Sequence, residues 1–147
     1  MLLPGRYQFE DVKIGDIIDI GSLNVSAQMI KDFANLTGDK FEIHMDTDAA
    51  QQHGFSGQVA HGLLVLGLVD GLKNQADAQF QALASLGWSW KFIKPVLAGD
   101  QIRATLQIIE KRPTKNPKTG ILLLEFSVFN QNNILVQCGS NTLMVYR

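Results

Sequence analysis

Between His61 and Asn74 the chain carries a segment with almost no polar face: Leu63, Leu64, Val65, Leu66, Leu68, Val69 and Leu72 are broken only by Asp70, Lys73 and two glycines. A helix that is apolar nearly all round is buried nearly all round, so the rest of the chain must wrap it. The most apolar run, Leu63 to Val69, is far shorter than the roughly 18 residues a membrane-spanning helix needs, so the wrapping has to be protein. Gly67 and Gly71 lie four apart, on one helix face, where the missing side chains would let a sheet or another backbone approach. In a soluble chain this spacing reads as packing rather than as a membrane dimer motif.

The wrapping material follows in sequence. Asn74 to Leu83 is polar and weakly helical in pattern, and Gly87 to Phe92 then alternates, placing Trp88, Trp90 and Phe92 on one face of a strand. Pro95 limits how far that strand is paired centrally. After the Gly99-Asp100 turn, Ile102, Ala104, Leu106 and Ile108 alternate with Arg103, Thr105 and Gln107 in a half-buried strand. Lys111 to Gly120, with Pro113 and Pro117, predicts a hairpin loop; Ile121–Phe129 and Ile134–Tyr146 predict two long strands around the turn-rich Asn130–Asn133.

Upstream, Arg6 to Lys13 reads as an irregular lead-in, and Ile17 to Val25 as a strand broken near Gly21. Ser26 is a suitable N-cap for a helix whose Met29, Ile30, Phe33 and Leu36 recur at helical spacing until Gly38. Strand, helix, loop, buried helix and a run of antiparallel strands describe an α+β fold with a sheet curled around one helix.

With 147 residues, 46% of them apolar, the chain fits one domain, 1–147, with a substantial core. A net charge of −1 from 13 basic and 14 acidic residues gives no footprint for nucleic acid or an anionic membrane. The single cysteine, Cys138, forms no intrachain disulfide, and the opening MLLPGRYQFE lacks the apolar stretch of a secretory signal, so a cytoplasmic protein is expected.

The chemistry concentrates in Asn35–His61, which holds all three histidines, His44, His53 and His61, together with Asp39, Asp46 and Asp48. Gly38 lets the backbone turn at a helix end, so Asp39 sits just past it on irregular backbone, five positions before His44. A loop of this length can bring the carboxylate and the imidazole onto one water. Asp46 and Asp48 read better as the cap and acidic first turn of a helix stub. The histidine spacings of nine and eight fit no usual zinc pattern, and no metal is expected.

TGD-x4-H-x-D, then GF-x-G-x-x-AHG before an apolar helix, and later WSWKFIKPVLAGDQI, together resemble the MaoC-like dehydratases, whose best-known members are R-specific enoyl-CoA hydratases. The resemblance covers most of the chain. It implies a hot-dog fold and a lyase that adds water to, or removes it from, an acyl thioester, with coenzyme A or acyl carrier protein as part of the substrate and no separate cofactor. Asp39 and His44 take the catalytic positions. Where the family has Asn and Pro, this chain has Phe41 and Glu42, which removes an amide that helps shape the site.

Addition to an enoyl thioester builds negative charge on the carbonyl oxygen, and the Gly62 N–H, opening the apolar helix, is the candidate donor. Gly62 also reads as a packing glycine, and the two roles are compatible. His61 reads as a support for the catalytic loop, with a substrate contact as the lesser role. Lys111, Arg112, Lys115 and Lys118 read as a solvated loop, with the phosphates of coenzyme A as a second possibility. A single curled sheet leaves an unpaired edge, and in the resembled family two such sheets join, so a homodimer is expected. The competing readings are a hot-dog thioesterase and a non-catalytic acyl-CoA-binding dimer.

Overall fold

The computed structural model describes residues 1–147. A strand β1 (Gly5–Tyr7) and a 3-10 turn (Phe9–Asp11) precede β2 (Ile17–Asn24), α1 (Ala27–Thr37), α2 (Glu42–Met45), α3 (Thr47–Gln52) and α4 (Gly62–Gln75). The remainder is strand: β3 (Ala78–Phe80), β4 (Ala82–Phe92), β5 (Gln101–Pro113), β6 (Thr119–Phe129) and β7 (Leu135–Tyr146). Five strands form an antiparallel sheet in the order β2-β5-β6-β7-β4, and β1 pairs in parallel with β3 beside it. The α+β sheet-and-helix arrangement is the one expected.

The core lies between the inner face of this sheet and α4. Ile102, Ala104, Leu106 and Ile108 of β5 alternate inward as their sequence pattern requires, and Leu122, Leu124, Phe126 and Val128 of β6 do the same. Trp88 and Trp90 of β4 pack against Phe126, tilted and edge-on respectively. From α4, Leu64, Val65 and Val69 face the sheet; Lys73, also buried, pairs with Asp70 at 2.8 Å and lies over the Trp88 ring. The helix is not buried all round within this chain: Leu63 is 63% exposed. Nothing comes within 4 Å of a Cβ built on Gly67, and only the Gln75 side chain, at 3.9 Å, meets one on Gly71, so neither glycine admits a neighbouring backbone.

Four local expectations are corrected. Arg6–Lys13 is not irregular, because β1 finds its partner 73 residues away at Ala78, a pairing too short to leave an alternation in sequence. Asn74–Leu83 is not weakly helical throughout: α4 stops at Gln75, and β3 and the start of β4 follow. The Ala and Leu residues of Ala82–Leu86 favour helix intrinsically, but pairing with β7 overrides that preference. The hairpin loop is shorter than Lys111–Gly120, since β5 runs to Pro113, at the strand end where a missing N–H is tolerated. Within it, the Lys111 ammonium donates to the Phe9 and Val12 carbonyls and sits over the Phe9 ring, so it is not free for a phosphate.

The elements that carry the candidate site form as read. Ser26 caps α1, its Oγ accepting from the Met29 N–H at 3.1 Å, and Gly38 ends it at φ 80°, the left-handed region that glycine enters without strain. Asp46 caps α3 by accepting from the Asp48 and Ala49 N–H groups.

Candidate active site

Asp39 follows directly on the left-handed turn at Gly38, its carboxylate accepting from the Phe41 N–H at 3.3 Å. Asp39 stands on irregular backbone as expected, whereas the connection expected to be a loop contains α2, a single helical turn too short to show periodicity in sequence, and His44 belongs to it. That turn is tied down by Val59, whose N–H donates to the Ile43 carbonyl at 3.0 Å and whose carbonyl accepts from His44 Nδ1 at 2.7 Å. Gln58 Nε2 donates to the His44 carbonyl at 2.6 Å. Ala60, the next residue along, donates to the Val96 carbonyl at 2.7 Å, linking the site to the connection after β4.

A carbonyl only accepts, so the proton of neutral His44 is on Nδ1 and the lone pair is on Nε2. His61, buried, donates from Nε2 to the Asp39 carbonyl at 2.8 Å, and its ring stacks on that of His44 with centroids 4.0 Å apart. His61 thus holds the backbone of one candidate residue and the ring of the other. Phe33 packs on its remaining side at 4.8 Å. The Nδ1 of His61 is buried without a partner.

Candidate ligand atoms of Asp39, His44 and His61 all lie within 4.8 Å of one another. A water making two hydrogen bonds of about 2.8 Å spans roughly that distance at a near-tetrahedral angle. The same three groups suit an ion poorly. Zinc takes imidazole nitrogens at about 2.0–2.1 Å along lone pairs in the ring plane, whereas these two rings are stacked with centroids 4.0 Å apart and only 25° from parallel, so their planes do not meet at such a short distance. His53 stands outside the cluster, paired with Glu42 at 2.5 Å on the surface. Phe41 lies edge-on to His44 with ring centroids 6.1 Å apart.

His44 opens into a cleft of about 330 Å³ lined also by Ile43, Phe55, Gly62, Phe92 and Gln137. Gly62 is the first residue of α4, and its N-cap, His61, makes no side-chain capping bond, so the first N–H groups of the helix are left to an incoming acceptor. A Cβ on Gly62 would lie 2.5 Å from the Phe92 ring, so this glycine packs closely against the sheet. Phe92 and Gln137, cross-strand partners on β4 and β7, are cleft residues to which sequence reasoning gave no site role, because in sequence they read as an ordinary aromatic and an ordinary polar strand residue.

The family model described as the MaoC like domain matches residues 12–128. The chain belongs to the MaoC-like dehydratase family. It is 30% identical to the (R)-specific enoyl-CoA hydratase of Aeromonas caviae over 80% of this chain and 84% of that one. It is 28% identical to a mitochondrial 3-hydroxyacyl-[acyl-carrier-protein] dehydratase of Arabidopsis thaliana over 91% of this chain and 78% of that one. Two further relatives are longer proteins, of which the chain spans 31% and 36%. Among solved structures, a monoamine oxidase regulatory protein from Archaeoglobus fulgius superposes with a TM-score of 0.89 at 28% identity, over 99% of each chain. The fold of this MaoC-like protein is the hot-dog fold. None of its helices is long and apolar enough to cross a membrane.

Proposed function

We propose that this MaoC-like protein hydrates an enoyl thioester to the (R)-3-hydroxyacyl thioester, and catalyses the reverse dehydration, with Asp39 and His44 as the catalytic pair. The observation that carries this reading is the convergence of the two side chains, within 4.8 Å, where His44 opens into a cleft beside the uncapped start of α4. Water held between them gives a proton to His44 Nε2 as its oxygen attacks the β-carbon. The thioester carbonyl oxygen gains negative charge and is met by the Gly62 N–H at the positive end of the helix. A proton from the same pair then reaches the α-carbon, so that H and OH have been added and both residues are restored. His61 acts through the other two, holding the Asp39 carbonyl and stacking on His44.

The chemistry asks for no resident cofactor; coenzyme A or an acyl carrier enters as part of the substrate. The working unit is a homodimer, because β4 is a long edge strand whose Leu83 and Leu86 are 50% and 53% exposed, and α4 leaves Leu63 open. A cytoplasmic location agrees with a single unpaired cysteine.

The test is a double-mutant cycle. Asp39→Asn and His44→Gln should each lower hydration of an enoyl-CoA by roughly 10²-fold or more while thioester binding and melting temperature hold. Because both act on one water, the double variant should lose far less than the product of the single losses. Full activity in either single variant would contradict the assignment. Release of free coenzyme A without hydroxyacyl product would indicate a thioesterase, and binding without any turnover an acyl-binding dimer.

A further inference from the structure

Gln137 is buried, only 2% exposed, at an inward position of β7 between Phe92 of β4 and Val128 of β6, its direct neighbours across the sheet. A carboxamide in an apolar core is unfavourable unless its polar atoms are matched, and here each is. The Trp90 indole N–H, which can only donate, gives its proton to Gln137 Oε1 at 2.8 Å. That bond fixes which end of the amide faces which way: Nε2 is turned to α4 and donates to the Gly62 carbonyl at 3.3 Å. On the other side of the same glycine the Phe92 ring occupies the place a Cβ would take. The first residue of α4 is therefore pinned by two adjacent side chains of the sheet, and both line the cleft together with His44.

The first turn of a helix is its loosest part, since its N–H groups lack intrahelical acceptors. At α4 no side-chain cap compensates: the N-cap His61 makes no side-chain capping bond, and its acceptor nitrogen Nδ1 has no partner. We infer that Gln137 is a positioning residue of this active site: the chain Trp90 to Gln137 to Gly62 anchors the start of α4 to the sheet, so that the Gly62 N–H is held where the thioester oxygen develops its charge. This rests on the hydratase reading and extends it to a residue at the far end of the chain. The donor is effective only when aimed beforehand, and a misplacement of about 1 Å in such a site can cost on the order of 10² in rate.

Three variants and two readouts test it. Gln137→Leu keeps the size and removes both hydrogen bonds; Gln137→Glu keeps the Trp90 acceptor but cannot donate to Gly62 in its ionised form; Trp90→Phe leaves the amide free to turn. The expected result is a fall in kcat of roughly 10- to 100-fold for the Gln137 variants and a smaller one for Trp90→Phe, with KM changed much less. Amide hydrogen exchange at Gly62–Leu64 should speed up in each variant while exchange in the sheet core is unchanged. Wild-type kcat in Gln137→Leu, or a loss that only follows the fraction of folded protein, would overturn the inference. Should Gln137→Leu fail to fold, Trp90→Phe decides alone: unchanged kcat and unchanged exchange at Gly62 overturn it. A wild-type protein that hydrates no enoyl thioester would contradict the hydratase reading, whereas unaltered exchange at Gly62 in the variants would contradict the anchoring itself.

Discussion

In the proposed hydration Gly62 carries two requirements at once, and they can be separated. Its packing limit comes from the Phe92 ring, 57% exposed and so able to rotate away, and not from a special backbone angle. Gly62→Ala should therefore fold, with a modest loss of melting temperature; it keeps the N–H, but its Cβ would hold the thioester oxygen away from it, so turnover should fall by up to roughly 10²- to 10³-fold, the usual worth of one oxyanion donor. Steady-state kinetics beside a thermal melt checks this; unchanged kcat would assign the glycine to packing alone. At this scale much of the site was legible, because Asp39, His44, His61 and Gly62 stand in a spaced motif of residue types that few structural roles need together. Gln137 was not legible. A glutamine in an alternating strand looks the same whether it faces water or reaches a helix end, and only the sheet register tells them apart.

Among the elements, α1 matters because its end presents Asp39. The Ser26 cap should be worth about 1 kcal/mol, so Ser26→Ala is expected to lower the melting temperature by a few degrees with kcat nearly intact. Gly139 on β7 is a harder constraint, since a Cβ there would lie 2.1 Å from the Ser89 carbonyl oxygen, and backbone cannot step aside as a side chain can. Gly139→Ala should cost roughly 1–3 kcal/mol or more by forcing β4 and β7 apart, which chemical denaturation would register as a lower midpoint. The caps, the break near Gly21, where the register of β2 with β5 shifts, and the long alternating strands were readable because their signals are local. The pairing of β1 with β3, the single turn of α2 and the β-structure of Ala82–Leu86 were not, because each is fixed by a partner distant in sequence.

For the whole molecule, the exposed edge of β4 and the open side of α4 predict a dimer that a charge would break. Leu83→Lys combined with Leu86→Lys should turn it into a monomer by light scattering, whereas a wild type that is already a stable, active monomer at micromolar concentration would contradict the assembly. The central claim is that this hot-dog protein adds water to an enoyl thioester through Asp39 and His44. The most direct measurement follows the ultraviolet absorbance of the crotonyl-CoA double bond on adding the wild-type protein, with chiral analysis of the product. The account predicts loss of the chromophore and (R)-3-hydroxybutyryl-CoA from wild type, with neither from Asp39→Asn. An unchanged chromophore for crotonyl-CoA and for longer enoyl thioesters, in protein that binds them, would contradict it.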